Sequence, residues 1–217
     1  QDPLPERDYK LISDRDIREL EAAIEDSGLT NTQLVSTAWA SASTYRGTDM
    51  RGGANGARIR LAPQNQWAIN NPDALAEVIT VLEEVQDEFN SGLSPGKQVS
   101  LADVIVLAGN VGVEQAAEEF GVEVSIPFTP GRVDAIEGSL DASSWSVMEP
   151  RHDGFRNHMA DLGFMTPSQA LIDKADMLNL TVSEMTVLLG GMRAMNANAD
   201  GSDRGVLTPG VLSNDFF

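Results

Sequence analysis

The chain has 217 residues, 41% of them hydrophobic, enough to bury one large core, and the apolar residues are spread evenly enough to favour a single domain over 13–217 behind an arm over 1–12. Lys and Arg number 15 against 33 Asp and Glu, a net charge of −18 that excludes nucleic acid and anionic membranes as partners, because neutralising phosphates needs a basic surplus. Cysteine is absent, which excludes disulfides, thiolate metal sites and a cysteine nucleophile and leads us to expect a cytoplasmic protein, with the periplasm as the alternative.

The acidity itself is read as solubility or a salt-rich environment. No apolar run approaches the roughly 18 residues that span a bilayer. The opening QDPLPERDYK carries no signal pattern, and the chain is expected to be a piece of a longer one, with a cut or disorder near Phe216 and Phe217.

In chain order the signals are helical, and the predicted fold class is all-α. Ser13 with Asp16 opens a helix whose apolar face is Ile17, Leu20 and Ile24 and which ends near Gly28. Thr30 or Asn31 opens the next, carrying Leu34, Val35, Ala38 and Trp39. Asn71-Pro72 reads as a cap with proline in the first turn, followed by Leu75, Val78, Ile79, Leu82, Val85 and Phe89 at helical spacing.

Ser100 with Asp103 starts a helix over 101–107. Thr166-Pro167 with Gln169 starts one through Leu171, Ile172 and Ala175, and Thr181 with Glu184 forms a capping box before 185–189. The alternation over 122–126 predicts a small ribbon closed by Pro127. Long connections over 46–71 and 121–150 are expected to be loops.

The segment from Leu34 to Trp67 is dense in Trp, Tyr, Arg and Gly, as an active-site helix and loop would be, yet it holds no histidine. His152 and His158 lie six residues apart, which does not make the i, i+4 pair of a zinc helix, and they are expected to be solvated or to cap loops. Gly52, Gly53 and Gly56 lack the Lys-Ser/Thr pair of a phosphate loop; they are expected at positive φ, with Arg51, Arg58 and Arg60 pairing carboxylates. Ser36, Ser41 and Ser43 have no nearby histidine to activate them, and Glu83-Glu84, Asp87-Glu88 and Glu118-Glu119 read as solvated helix faces.

Six blocks, TAWASASTYRGTDMRGGANGARIRLAPQNQW, SLADVIVLAGNVGVEQAA, PFTPGRVDA, EPRHDGFRN, EMTVLLGGMRAMNAN and PGVLSNDFF, together resemble the C-terminal domain of bacterial-type catalase-peroxidases, over nearly the whole chain and in the family's order. QDPLP resembles the segment joining that family's two domains; the chain stops short of the family's last helices and looks compressed at 205–209.

The resemblance implies a haem-peroxidase-like helical domain without haem, one half of a duplicated fold whose N-terminal copy holds haem b, disproportionates hydrogen peroxide and oxidises peroxidase donors. In the haem-bearing pattern a distal Arg, Trp and His precede the serine-rich run, and here Ser36, Trp39 and Ala40 stand in their places. The iron-binding histidine of Gly-Gly-His is matched by Met192 after Gly190 and Gly191. Cleaving the peroxide O–O bond needs a base and a cation, which Ser and Ala do not supply.

The resemblance therefore implies no catalytic, metal or cofactor-binding residue in this domain, with Met192 an apolar filler. Its partners would be the N-terminal catalytic domain of the same protein and, for the parent, a second copy in a homodimer. The alternative is a binding module whose old haem cleft takes a small apolar ligand or a partner segment, with Arg58, Arg60 and Trp67 around it. Trp39, Tyr45 and Trp67 are read as core aromatics rather than an electron path.

Overall fold

The computed structural model describes residues 4–136, 142–156, 163, 165–198, 206, 209 and 212. Among them are seven α-helices and no strand: α1 (Asp14–Glu25), α2 (Asn31–Ala42), α3 (Pro72–Gly92), α4 (Leu101–Glu119), α5 (Ala142–Ser146), α6 (Pro167–Met177) and α7 (Val182–Ala194). Three short 3-10 turns, Arg58–Arg60, Gln64–Gln66 and Ala68–Asn70, lie between α2 and α3. None of the described helices is long and apolar enough to cross a membrane.

The capping signals form as the sequence predicts. Ser13, Thr30, Thr166 and Thr181 each accept the N3 backbone N–H of α1, α2, α6 and α7, and the N3 side chains Asp16, Gln33, Gln169 and Glu184 return the bond. Lys97 Nζ also reaches Asp16 at 2.6 Å, so that carboxyl is held down at about 2, chiefly by Lys97 and then by Ser13. Asn71 departs from expectation: it sits at φ 49 and gives α3 no side-chain cap, so Pro72 alone marks that start.

The helix α4 runs on to Glu119, well beyond 101–107, and is the centre of the fold. It is buried nearly all round, which suits its continuous run of Leu, Val, Ile, Ala and Gly. Its closest partner is α2. A methyl group built on Gly109 would lie 2.5 Å from the Ala38 Cβ, and one on Gly112 would lie 2.9 Å from Val35 Cγ1, so the two backbones approach only because these positions have no side chain. Around this pair gather Leu20, Ile24, Leu34, Val78, Leu82, Val104, Ile105 and Leu107 as the main core.

The block Pro127 to Ala135 explains how the start of α4 is held. Asp134 accepts the backbone N–H groups of Leu101 and Ala102, both at 2.8 Å, placing a carboxylate on the positive end of the helix. Asp103, itself buried, accepts Gly131 N at 2.7 Å and Arg132 NH1 at 2.8 Å. The arm joins the same end, with Lys10 N donating to Gly96 O and Tyr9 OH to Arg132 O.

Several expectations are corrected. The 122–126 stretch forms no ribbon, because Val122 N closes the end of α4 on Ala117 O and Ile126 N donates to Glu114 Oε1, leaving no edge for a second strand. The 121–150 connection contains α5. Ile172 is 52% exposed, and α6 buries Ala170, Lys174 and Ala175 instead. His158, residues 213–217 and most of 205–209 lie outside the described residues.

Candidate functional site

The residues matching the peroxidase site lie on α2 and α7, on two sides of one region. On α2, Ser36 and Ala40 are four apart and so share a face, and both line a cavity of about 510 Å³. Its walls come also from the turn and start of α3 (Ile69, Asn70, Leu75, Val78), from Arg156, and from 196–198 beyond α7. No His, Asp or Glu is among its described lining residues.

Trp39 turns away from this cavity. Its indole packs on Phe155 with ring centroids 5.6 Å apart, and its Nε1 donates to Asp153 Oδ2 at 3.1 Å. Met192 is buried in a cluster with Val35, Ala116, Phe155, Met195 and Ala197, and Trp39 packs against the same cluster. The positions that match the distal Trp and the iron ligand therefore belong to one apolar core.

Behind Trp39 stands a buried charge network. Asp153 is 0% exposed and takes Arg156 Nε at 2.5 Å and Arg156 N at 2.9 Å. Arg156 NH1 donates to Asn70 Oδ1 at 2.9 Å and NH2 to Ser43 Oγ at 3.0 Å. Lys174, 7% exposed, donates to the carbonyl of Ser43. Burial opposes ionisation of Asp153, but the Arg156 charge and the bonds from Trp39 and Arg156 outweigh it and hold the carboxyl below its usual range. Burial pushes Lys174 down to about 8, against the pull of Asp153 and with the push of Arg156.

Sequence reasoning missed Arg156, Lys174 and Asn70. Their signal was weak because they come from three segments that only the fold brings together. It also misplaced His152, which is 5% exposed with neither ring nitrogen bonded, and is therefore a core residue rather than a solvated one. Gly52, Gly53 and Gly56 do sit at φ +77, +85 and +104.

Arg58 NH1 donates to Asn55 O at 2.7 Å and its guanidinium lies 4.7 Å over Trp145, while Arg60 NH2 donates to Ala135 O at 2.7 Å. Trp67 joins Trp145 and Met148 in a separate buried cluster. Arg58, Arg60 and Trp67 thus brace the 46–71 loop and are not among the residues lining the cavity beside Ser36.

The chain matches the family model described as Peroxidase over residues 17–211. It belongs to the peroxidase family. A catalase-peroxidase of Bradyrhizobium sp. (strain ORS 278) is 57% identical over 219 aligned residues, which span 100% of this peroxidase-family chain and 30% of that protein. Catalase-peroxidase 2 of Legionella pneumophila (strain Lens) is 56% identical, with 100% and 29% covered. Catalase-peroxidase 2 of Shewanella sp. (strain MR-4) is 58% identical, with 100% and 30% covered. The chain spans about 30% of the length of these curated relatives.

Peroxidases of this family imply haem, and the residues here do not fit one. The side chain that the resemblance matches to the iron ligand, Met192, is a thioether enclosed by apolar neighbours, and those it matches to the distal residues offer a hydroxyl at Ser36 and a methyl at Ala40. Arg156 supplies a cation beside that cavity, but one tied to Asp153.

Proposed function

We propose that this chain is the haem-free, non-catalytic C-terminal domain of a catalase-peroxidase, joined by 1–12 to an N-terminal domain that holds haem b and consumes hydrogen peroxide. The observation that supports the reading is that the positions the resemblance matches to the two faces of the site hold Ser36 and Ala40, lining a cavity from α2, and Met192, buried in an apolar cluster on α7. O–O cleavage needs a base within reach of peroxide and a cation to steady the leaving oxygen; no His, Asp or Glu is among the described lining residues, and the one lining cation, Arg156, is paired with Asp153. A fold kept whole around a dismantled site supports a mechanical role: the domain packs on the haem domain, limits its motion, and keeps its distal histidine off the iron and the peroxide channel open.

The test is a haem titration of the chain alone and after mixing with the separately made haem domain, following the Soret band and peroxide consumption. No uptake alone, with spectrum and activity restored in the mixture, is the expected result. Specific haem uptake by the chain alone overturns the reading. So does a haem domain that by itself equals the whole protein in iron coordination and catalase rate.

A second reading, a ligand-binding cleft, is favoured by one observation. The cavity beside Ser36 and Ala40 has the volume of small-molecule sites, roughly 300–1,000 Å³.

A further inference from the structure

The cavity lies in a chain with 33 acidic residues, yet none of them is among its described lining residues, and its one charged liner is Arg156. A guanidinium has about five N–H donors. Three of them are used, by Asp153, Asn70 and Ser43, so two have no acceptor among the described residues although the side chain is only 6% exposed. Buried donors without acceptors are costly, and a ligand that supplies acceptors relieves that cost.

The surrounding charge has the same sign preference. Among the described buried groups of the network, the carboxylate Asp153 faces two cations, Arg156 and Lys174; Asp173, the other carboxylate acting on Lys174, is exposed. The rest of the cavity surface is mixed. Ser36 and Thr37 bring hydroxyls, while Ala40, Ile69, Leu75 and Val78 bring apolar wall. An apolar body with a single anionic end matches this lining, since the body covers the hydrocarbon surface and a planar carboxylate accepts two N–H groups of one guanidinium.

We propose that the cavity between α2, the start of α3 and Arg156 binds small amphipathic monocarboxylates, with the carboxylate on Arg156 and the apolar body against Ile69, Leu75 and Val78. The inference rests on the ligand-cleft reading and is independent of the supporting role.

The test compares cinnamate with its neutral isostere cinnamamide on the full 217-residue chain, by titration calorimetry and backbone amide shifts. Cinnamate is expected to bind one to one, to shift the amides of Ser36, Thr37 and Ile69, and to bind about tenfold or more tighter than cinnamamide. Ser36→Phe, which puts bulk into the cavity from α2, is expected to abolish binding while leaving the circular dichroism spectrum unchanged. Equal binding of the two compounds overturns the carboxylate assignment and leaves the ligand cleft standing. Absence of binding by either overturns both. Amide shifts confined to other parts of the chain overturn the location, whether or not the Ser36→Phe variant folds.

Discussion

Trp39 and Asp153 are joined by a 3.1 Å hydrogen bond from indole to carboxylate, and this bond ties the helix that would carry distal chemistry to a buried ion pair. Trp39 is therefore a structural strut between α2 and the 152–156 segment.

Replacing the Asp153 charge tests the strut. Asp153→Asn keeps the shape but leaves Arg156 and Lys174 buried without their carboxylate. Breaking one side of a buried pair costs about 3–5 kcal/mol. Urea denaturation is expected to show a loss in that range, and Trp39 fluorescence to report the altered indole environment.

Lys174 gives stability a pH dependence with a definite sign. Its folded pKa, about 8, lies below its ordinary value of 10.5, so the unfolded chain binds more protons between those values and stability rises with pH across that window. The penalty is fully present below about pH 8 and relieved by about 10.5. A shift of this size corresponds to about 3 kcal/mol. Lys174→Met is expected to flatten the slope of unfolding free energy between pH 8 and 10.5.

The α2–α4 contact is tested by steric compensation. Gly109→Ala forces a methyl against Ala38 and is expected to cost about 1–3 kcal/mol despite alanine's better helix propensity. Ala38→Gly in the same chain recovers part of the loss, giving a coupling of about 0.5 kcal/mol or more in a double-mutant cycle. Gly92→Ala, where nothing lies within 4 Å, is expected to be neutral or mildly stabilising.

Met192 separates packing from ligation. As a buried filler it tolerates Met192→Leu at a cost below about 1.5 kcal/mol, whereas Met192→Ala opens a cavity and costs about 2–5 kcal/mol. Thermal unfolding measures both. A Soret band in the unsubstituted 217-residue chain that Met192→Leu removes would contradict the filler role.

The helices were legible because their signals are local. Ser13, Thr30, Thr166 and Thr181 cap through residues three positions on, and the spacing of Leu75, Val78, Ile79 and Leu82 marks one buried face. The length of α4 was not legible, since Gly109 and Gly112 weaken a helix by propensity and are justified only by α2 lying against them. Nor was the failed ribbon at 122–126, whose backbone partners are Ala117 and Glu114 of the preceding helix.

The sequence by itself determined the all-α class and the capped starts of α1, α2, α6 and α7, and the family resemblance set Ser36, Ala40 and Met192 against positions where peroxidase chemistry would need Arg and His. Only the tertiary structure decided what occupies that region. The Asp153–Arg156–Lys174 network, the burial of His152 and the cavity beside Ser36 join residues more than 100 positions apart, and charge pairing and desolvation between such residues leave no periodic trace along the chain.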